Sequence, residues 1–122
     1  MDATPEIVRK LASILDLPLP GPFSQDWELE VADPTRVGEF LEAYDSDLFN
    51  NDDRSVLMQT ILESYGTAFT DGLARPEDWE TISYYLNRDR QIHEDTIRRW
   101  AMIDEPDLEN CFAITPLIRK LA

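Results

Sequence analysis

Asp53-Arg54-Ser55-Val56-Leu57-Met58-Gln59-Thr60-Ile61-Leu62-Glu63-Ser64-Tyr65 is the stretch that decides the fold. Val56, Leu57, Met58, Ile61, Leu62 and Tyr65 recur at helical spacing and cover a broad face. A helix apolar over that much of its circumference belongs at the centre of a core, with the other elements packed around it. Its start is expected at an N-cap, Asp52 or Asp53. Gly66 weakens it, and Asp71-Gly72 stops it.

Outward from this helix, proline marks where other elements begin, because a first-turn residue loses nothing by lacking an N–H. Thr4-Pro5, Asp33-Pro34 and Thr115-Pro116 each put an N-cap side chain before the proline, and Arg75-Pro76 is followed by the acids Glu77 and Asp78. Apolar stripes at helical spacing follow: Ile7, Leu11, Ile14 and Leu15; Val37, Phe40, Leu41 and Tyr44; Trp79, Ile82, Tyr85 and Leu86. A further stripe, from about His93, carries Ile97, Trp100 and Ala101. Leu17-Pro18-Leu19-Pro20-Gly21-Pro22 reads as an extended connector. Two segments alternate instead: Trp27, Leu29 and Val31 between Glu28, Glu30 and Ala32, and Phe112 with Ile114. That is strand periodicity, and the two either pair or run as extended connectors. The expected fold is mainly α, a single acidic helical domain over residues 1–122. It is a compact bundle of about five to six helices, with room for one short two-stranded β pairing. No internal repeat supports a solenoid.

The chain has 122 residues, of which 43% are hydrophobic, enough apolar material to fold as one core despite its charge. Twenty-five acids against eleven bases give a formal charge of −14, well beyond what solubility requires. Such a field repels nucleic acid and anionic lipid, and it attracts basic proteins. The excess is concentrated. From Asp26 to Asp53 there are ten acids and one base, Arg36. The single cysteine, Cys111, excludes an internal disulfide and fits a reducing compartment, so cytoplasm is the expected location. Neither an export signal nor a membrane span is expected, since no apolar run reaches the length either needs.

Catalytic patterns are thin. The lone histidine, His93, lacks the second histidine of a zinc-protease pair, since Ile97 stands four residues on, and it reads as a surface residue near a helix start. Cys111 lies in an apolar segment beside Asp107 and Glu109, the wrong neighbours for a thiolate. There is no Gly-rich phosphate loop, and no cofactor is expected. The oxygen-rich run Asp45 to Asp53 fails as a calcium loop: Phe49, Asn50 and Val56 occupy the fifth, sixth and twelfth positions. Arg88, Arg90, Arg98 and Arg99 alternate with Asp89, Glu94 and Asp95 and read as intradomain pairs.

Gln25-Asp26-Trp27-Glu28-Leu29-Glu30, the apolar Leu57-Met58-Gln59-Thr60-Ile61-Leu62 and the tail Phe112-Ala113-Ile114-Thr115-Pro116 with Arg119 give the chain a general character. It resembles the small acidic bacterial immunity proteins encoded beside secreted antibacterial toxins. The resemblance implies a tight, stoichiometric, non-enzymatic inhibitor whose acidic face meets a basic toxin surface. On that reading the contact residues are Asp26, Glu28, Glu30, Glu39, Glu42, Asp45 and Asp47, with Trp27 or Tyr44 as an aromatic anchor; core packing is the ordinary alternative for both rings. Two other readings stand beside it. One is a DNA mimic with acids in rows over much of its surface. The other is an enzyme or divalent-metal protein that uses the acidic loop.

Overall fold

A computed structural model describes residues 3–122. Among these residues there are seven α-helices and no strand: α1 (Pro5–Leu15), α2 (Trp27–Glu30), α3 (Val37–Tyr44), α4 (Asn51–Thr70), α5 (Pro76–Arg88), α6 (Arg90–Ala101) and α7 (Thr115–Arg119). A single 3-10 turn, Leu108–Asn110, precedes α7.

The stretch Asp53 to Tyr65 forms the middle of α4, and every residue from Ser55 to Leu62 is buried. A helix covered on all sides cannot be amphipathic, so its polar residues must find partners inside. The Thr60 hydroxyl donates to the Glu28 carbonyl at 2.6 Å, and the Ser64 hydroxyl accepts from the Asp33 N–H at 2.9 Å. These bonds tie α2 and the turn after it to the central helix. Helices α1, α2, α3 and α6 all pack on α4; α5 packs against α3 and α6, and α7 against α6.

The start of α4 is a capping box built on Asn50. Its side chain accepts from the Asp53 N–H, while the Asp53 carboxylate accepts from the Asn50 N–H, both at 2.9 Å. Asp53 is therefore the third residue of the helix and not its cap. Gly66 is accommodated within α4, which ends before Gly72, at φ 74° in the left-handed region that glycine enters without strain.

Thr4 caps α1, and Pro76 opens α5, as the sequence predicts. The other two proline signals work differently. Asp33-Pro34 forms a side-chain turn, with Asp33 Oδ1 accepting from the Thr35 N–H at 2.9 Å, and α3 begins only at Val37. Thr115 lies inside α7, and its hydroxyl donates to the Trp100 carbonyl at 2.8 Å.

Both candidate strands are corrected. Trp27 to Glu30 is a helical turn, because the apolar alternation at 27, 29 and 31 contains an i, i+4 pair: Trp27 and Val31 are both buried, one turn apart. The Val31 N–H donates to the Trp27 carbonyl at 3.0 Å, which leaves that backbone unavailable to a sheet. Phe112 and Ile114 flank a turn into α7; Ile114 points into the core and Phe112 lies over Trp100, with ring centroids 4.3 Å apart.

Candidate functional site

The arginines explain where the acidic field goes. An α-helix leaves its last carbonyls unpaired, and a guanidinium can satisfy several of them at once. Arg36 donates to the Leu15 and Asp16 carbonyls at the end of α1. Arg54 donates to the Tyr44 and Ser46 carbonyls at the end of α3, at 3.0 and 3.2 Å. Arg119 gathers the Ala101, Met102 and Glu105 carbonyls at the end of α6, at 2.7, 2.5 and 2.8 Å. It thereby fixes Met102 in a left-handed conformation (φ 44°) that a long side chain otherwise avoids. Arg90 donates to the Leu121 carbonyl. Cations turned onto backbone carbonyls hold the fold together and leave much of the carboxylate excess facing water.

The predicted contact acids divide accordingly. Glu30 folds back over the start of its own helix, accepting from the Ser24 hydroxyl at 2.9 Å and from the Gln25 and Asp26 N–H groups at 3.2 Å. These donors hold its carboxyl below the usual range. Glu39 pairs with Arg36, which likewise lowers its pKa. Asp45 takes both Nη atoms of Arg88, at 3.0 and 2.7 Å, and its pKa falls for the same reason. Among the described residues, Asp26, Glu28, Glu42 and Asp47 enter no ion pair. Asp26, Glu42 and Asp47 are exposed and Glu28 is half-buried. The first two acids sit at α2 and the second two on and just after α3. Asp53 is buried and held by Lys10 at 2.6 Å. Among the described residues no group of His, Cys, Asp and Glu is arranged to hold a metal ion, and no helix is long and apolar enough to cross a membrane.

Neither predicted aromatic anchor is available as a contact. Trp27 is 4% exposed, and its indole N–H donates to the Pro18 carbonyl at 2.8 Å. Tyr44 is fully buried, stacked on Tyr85 with centroids 4.3 Å apart. Its hydroxyl donates to Asp89 Oδ2 at 2.7 Å and lies 2.6 Å from Nε2 of His93. Burial is the main cause raising the Tyr44 pKa, and the hydrogen bond to Asp89 adds to it. His93 is fully buried rather than on the surface, because α6 starts at Arg90 and turns the ring inward. Burial pushes its pKa down to about 4, against the pull of Asp89. With no solvent access, this group clamps α3 against the junction of α5 and α6 and offers nothing to a substrate. Of the basic cluster, Arg88 pairs with Asp45 and Asp89, and Arg98 with Asp95 at 3.2 Å.

Of the exposed large apolar side chains, which also include Leu73, Tyr84 and Ile103 elsewhere on the surface, Leu19 lines one trough with Asp26 and Glu28, and Leu48 follows Asp47 in the chain. Phe23 is 92% exposed, Leu19 66% and Leu48 61%. Phe23 and Leu19 belong to the proline-rich connector and Leu48 follows Asp47, so none sits in a periodic stripe that would announce it. No signal in the sequence separates them from Leu17 and Phe49, which also lie outside every helical stripe and are buried. Cys111 is half-buried, 3.8 Å from Arg119 Nη2, a neighbour eight residues along that local sequence did not show.

No family model, curated protein or solved structure matches the chain.

Proposed function

We propose that this domain is a non-enzymatic binding protein that neutralises a basic protein partner, in the manner of an immunity protein acting on an antibacterial toxin. The observation that carries this is the turning of several arginines onto backbone carbonyls, which leaves Asp26, Glu28, Glu42 and Asp47 without ion pairs, with exposed Leu19 sharing a trough with the first two acids and exposed Leu48 following Asp47. Unpaired acids raise the encounter rate with a basic surface, and exposed apolar side chains slow dissociation once they are buried.

The test is co-expression with the product of the adjacent gene, followed by co-purification across a salt series. A complex that weakens as salt rises and suppresses the neighbour's toxicity supports the reading. A neighbour that is neither toxic nor bound removes it. In such a complex, reversing Asp26, Glu28, Glu42 and Asp47 to lysine slows association by roughly tenfold or more, and reversing Arg98 and Arg99 changes it far less. Equal effects from the two sets would reduce the reading to net charge alone.

A further inference from the structure

Between α1, the proline-rich connector and the start of α2 lies an open trough of about 540 Å³. Exposed Pro5, Leu19 and Pro20 contribute its apolar surface, over a floor closed by the buried Val8 and Trp27. Asp26 and Glu28 line the same trough without an ion pair, against one arginine, Arg9. Phe23, the most exposed large apolar side chain among the described residues, stands in the adjoining connector.

We infer that this trough takes a short extended segment of the partner that carries an apolar side chain flanked by lysine or arginine. The inference rests on the proposed binding of a basic protein and adds the place where contact is anchored. The trough has room for a few side chains, and its walls are apolar where an anchor would insert. Its acids exceed its base, which selects a cationic flank over an acidic one. A second copy of this chain is the wrong occupant, because bringing two domains of charge −14 together at an acidic trough is opposed by repulsion.

The experiment is an amide NMR titration of the full chain with the blocked peptide Lys-Phe-Lys-Leu-Lys, with Glu-Phe-Glu-Leu-Glu as the control. The expected result is saturable shifts at Arg9, Leu19, Asp26 to Glu28 and the Trp27 indole N–H, with the basic peptide only. Asp26→Lys combined with Glu28→Lys weakens binding by roughly tenfold, whereas Glu42→Lys combined with Asp47→Lys leaves it within about twofold. The Asp26 side chain makes no capping bond, and Glu28 holds Thr60 through its backbone carbonyl, which the substitution keeps. Shifts centred on Glu42 and Asp47 would overturn the trough and keep the broader reading. Equal binding of the acidic peptide would overturn the cationic occupant. Shifts that depend on protein concentration without peptide would assign the trough to self-association. No shift with either peptide would overturn the inference, and the co-expression result would still decide the broader reading by itself.

Discussion

The Tyr44 hydroxyl bridges Asp89 and His93, at 2.7 and 2.6 Å, and this arrangement dictates the tautomer of the histidine. A phenol has one proton to give, and here it goes to the carboxylate. His93 must then donate from Nε2, so Nδ1 carries no proton. Nδ1 is indeed buried and without a hydrogen-bond partner among the described residues.

Acid should destabilise the domain through this ring. The unfolded histidine titrates near 6.5 and the folded one at about 4, so between these values the unfolded chain binds the extra proton. Stability is therefore intact above about pH 6.5 and falls as pH drops toward 4, with a loss on the order of 2 kcal/mol at pH 5. The groups facing His93 are Tyr44 from α3, Asp89 from the helix junction and Arg88 from α5. The lowered pKa values of Asp45 and Asp89 place their own losses at more acidic pH. Urea melts at pH 7 and pH 5 check this, and His93→Gln should flatten the difference; a difference that persists unchanged would assign it to carboxylates.

Tyr44→Phe removes the bridge and leaves the His93 N–H buried without an acceptor, at a cost of about 1–3 kcal/mol. Asp89 keeps Arg88, at 2.8 Å, so the carboxylate is not stranded. The substitution should leave partner association unchanged, because the ring lies inside the protein. Denaturation midpoints alongside binding rates separate these two readouts.

Trp27→Phe deletes the bond to Pro18 and part of a buried ring, and is expected to lower stability by roughly 1–3 kcal/mol. The connector carrying Leu19 and Phe23 should loosen with it. Limited proteolysis should show faster cleavage between Pro18 and Gln25; an unchanged pattern would mean that other contacts hold the connector.

Asp53→Ala removes half of the capping box and the partner of Lys10, which costs about 1–2 kcal/mol. Asp52→Ala, one residue away and exposed, should fall within about 0.5 kcal/mol of the parent. Thermal melts of both variants check this difference; equal losses would mean that Asp53 does not anchor the start of α4.

Much of the helical plan was legible because periodicity and proline chemistry agree with tertiary packing at Pro5, Pro76 and along α4. The misreadings share a physical cause. Alternation from Trp27 to Val31 satisfies strand and helix periods together over five residues, and only the docking of α2 on Thr60 decides between them. Asp33 used its carboxylate for a turn, an alternative open to any aspartate before proline. His93 reads as superficial when the helix is taken to start there, at its open end; α6 begins at Arg90, one turn earlier, and residue 93 falls on the buried face with Ile97 and Trp100. At the candidate site, the density of acids was visible in the sequence. Which of them are neutralised was not, since Arg54 and Arg119 reach carbonyls rather than carboxylates and Arg36 divides itself between Glu39 and two carbonyls, a choice settled by tertiary geometry.

The burial of α4 from Ser55 to Leu62 has a consequence for how the domain comes apart. Helix α1 covers it from one side of the sequence and α6 from the other, and neither leaves a face of α4 that could remain wet and helical alone. Amide exchange at Leu57, Met58 and Ile61 should therefore proceed only through opening of the whole domain, at the free energy of global unfolding. Fragments cut between α4 and α5 should be unstructured separately and regain helix only on mixing, since each half lacks the partner surface that buries its apolar faces.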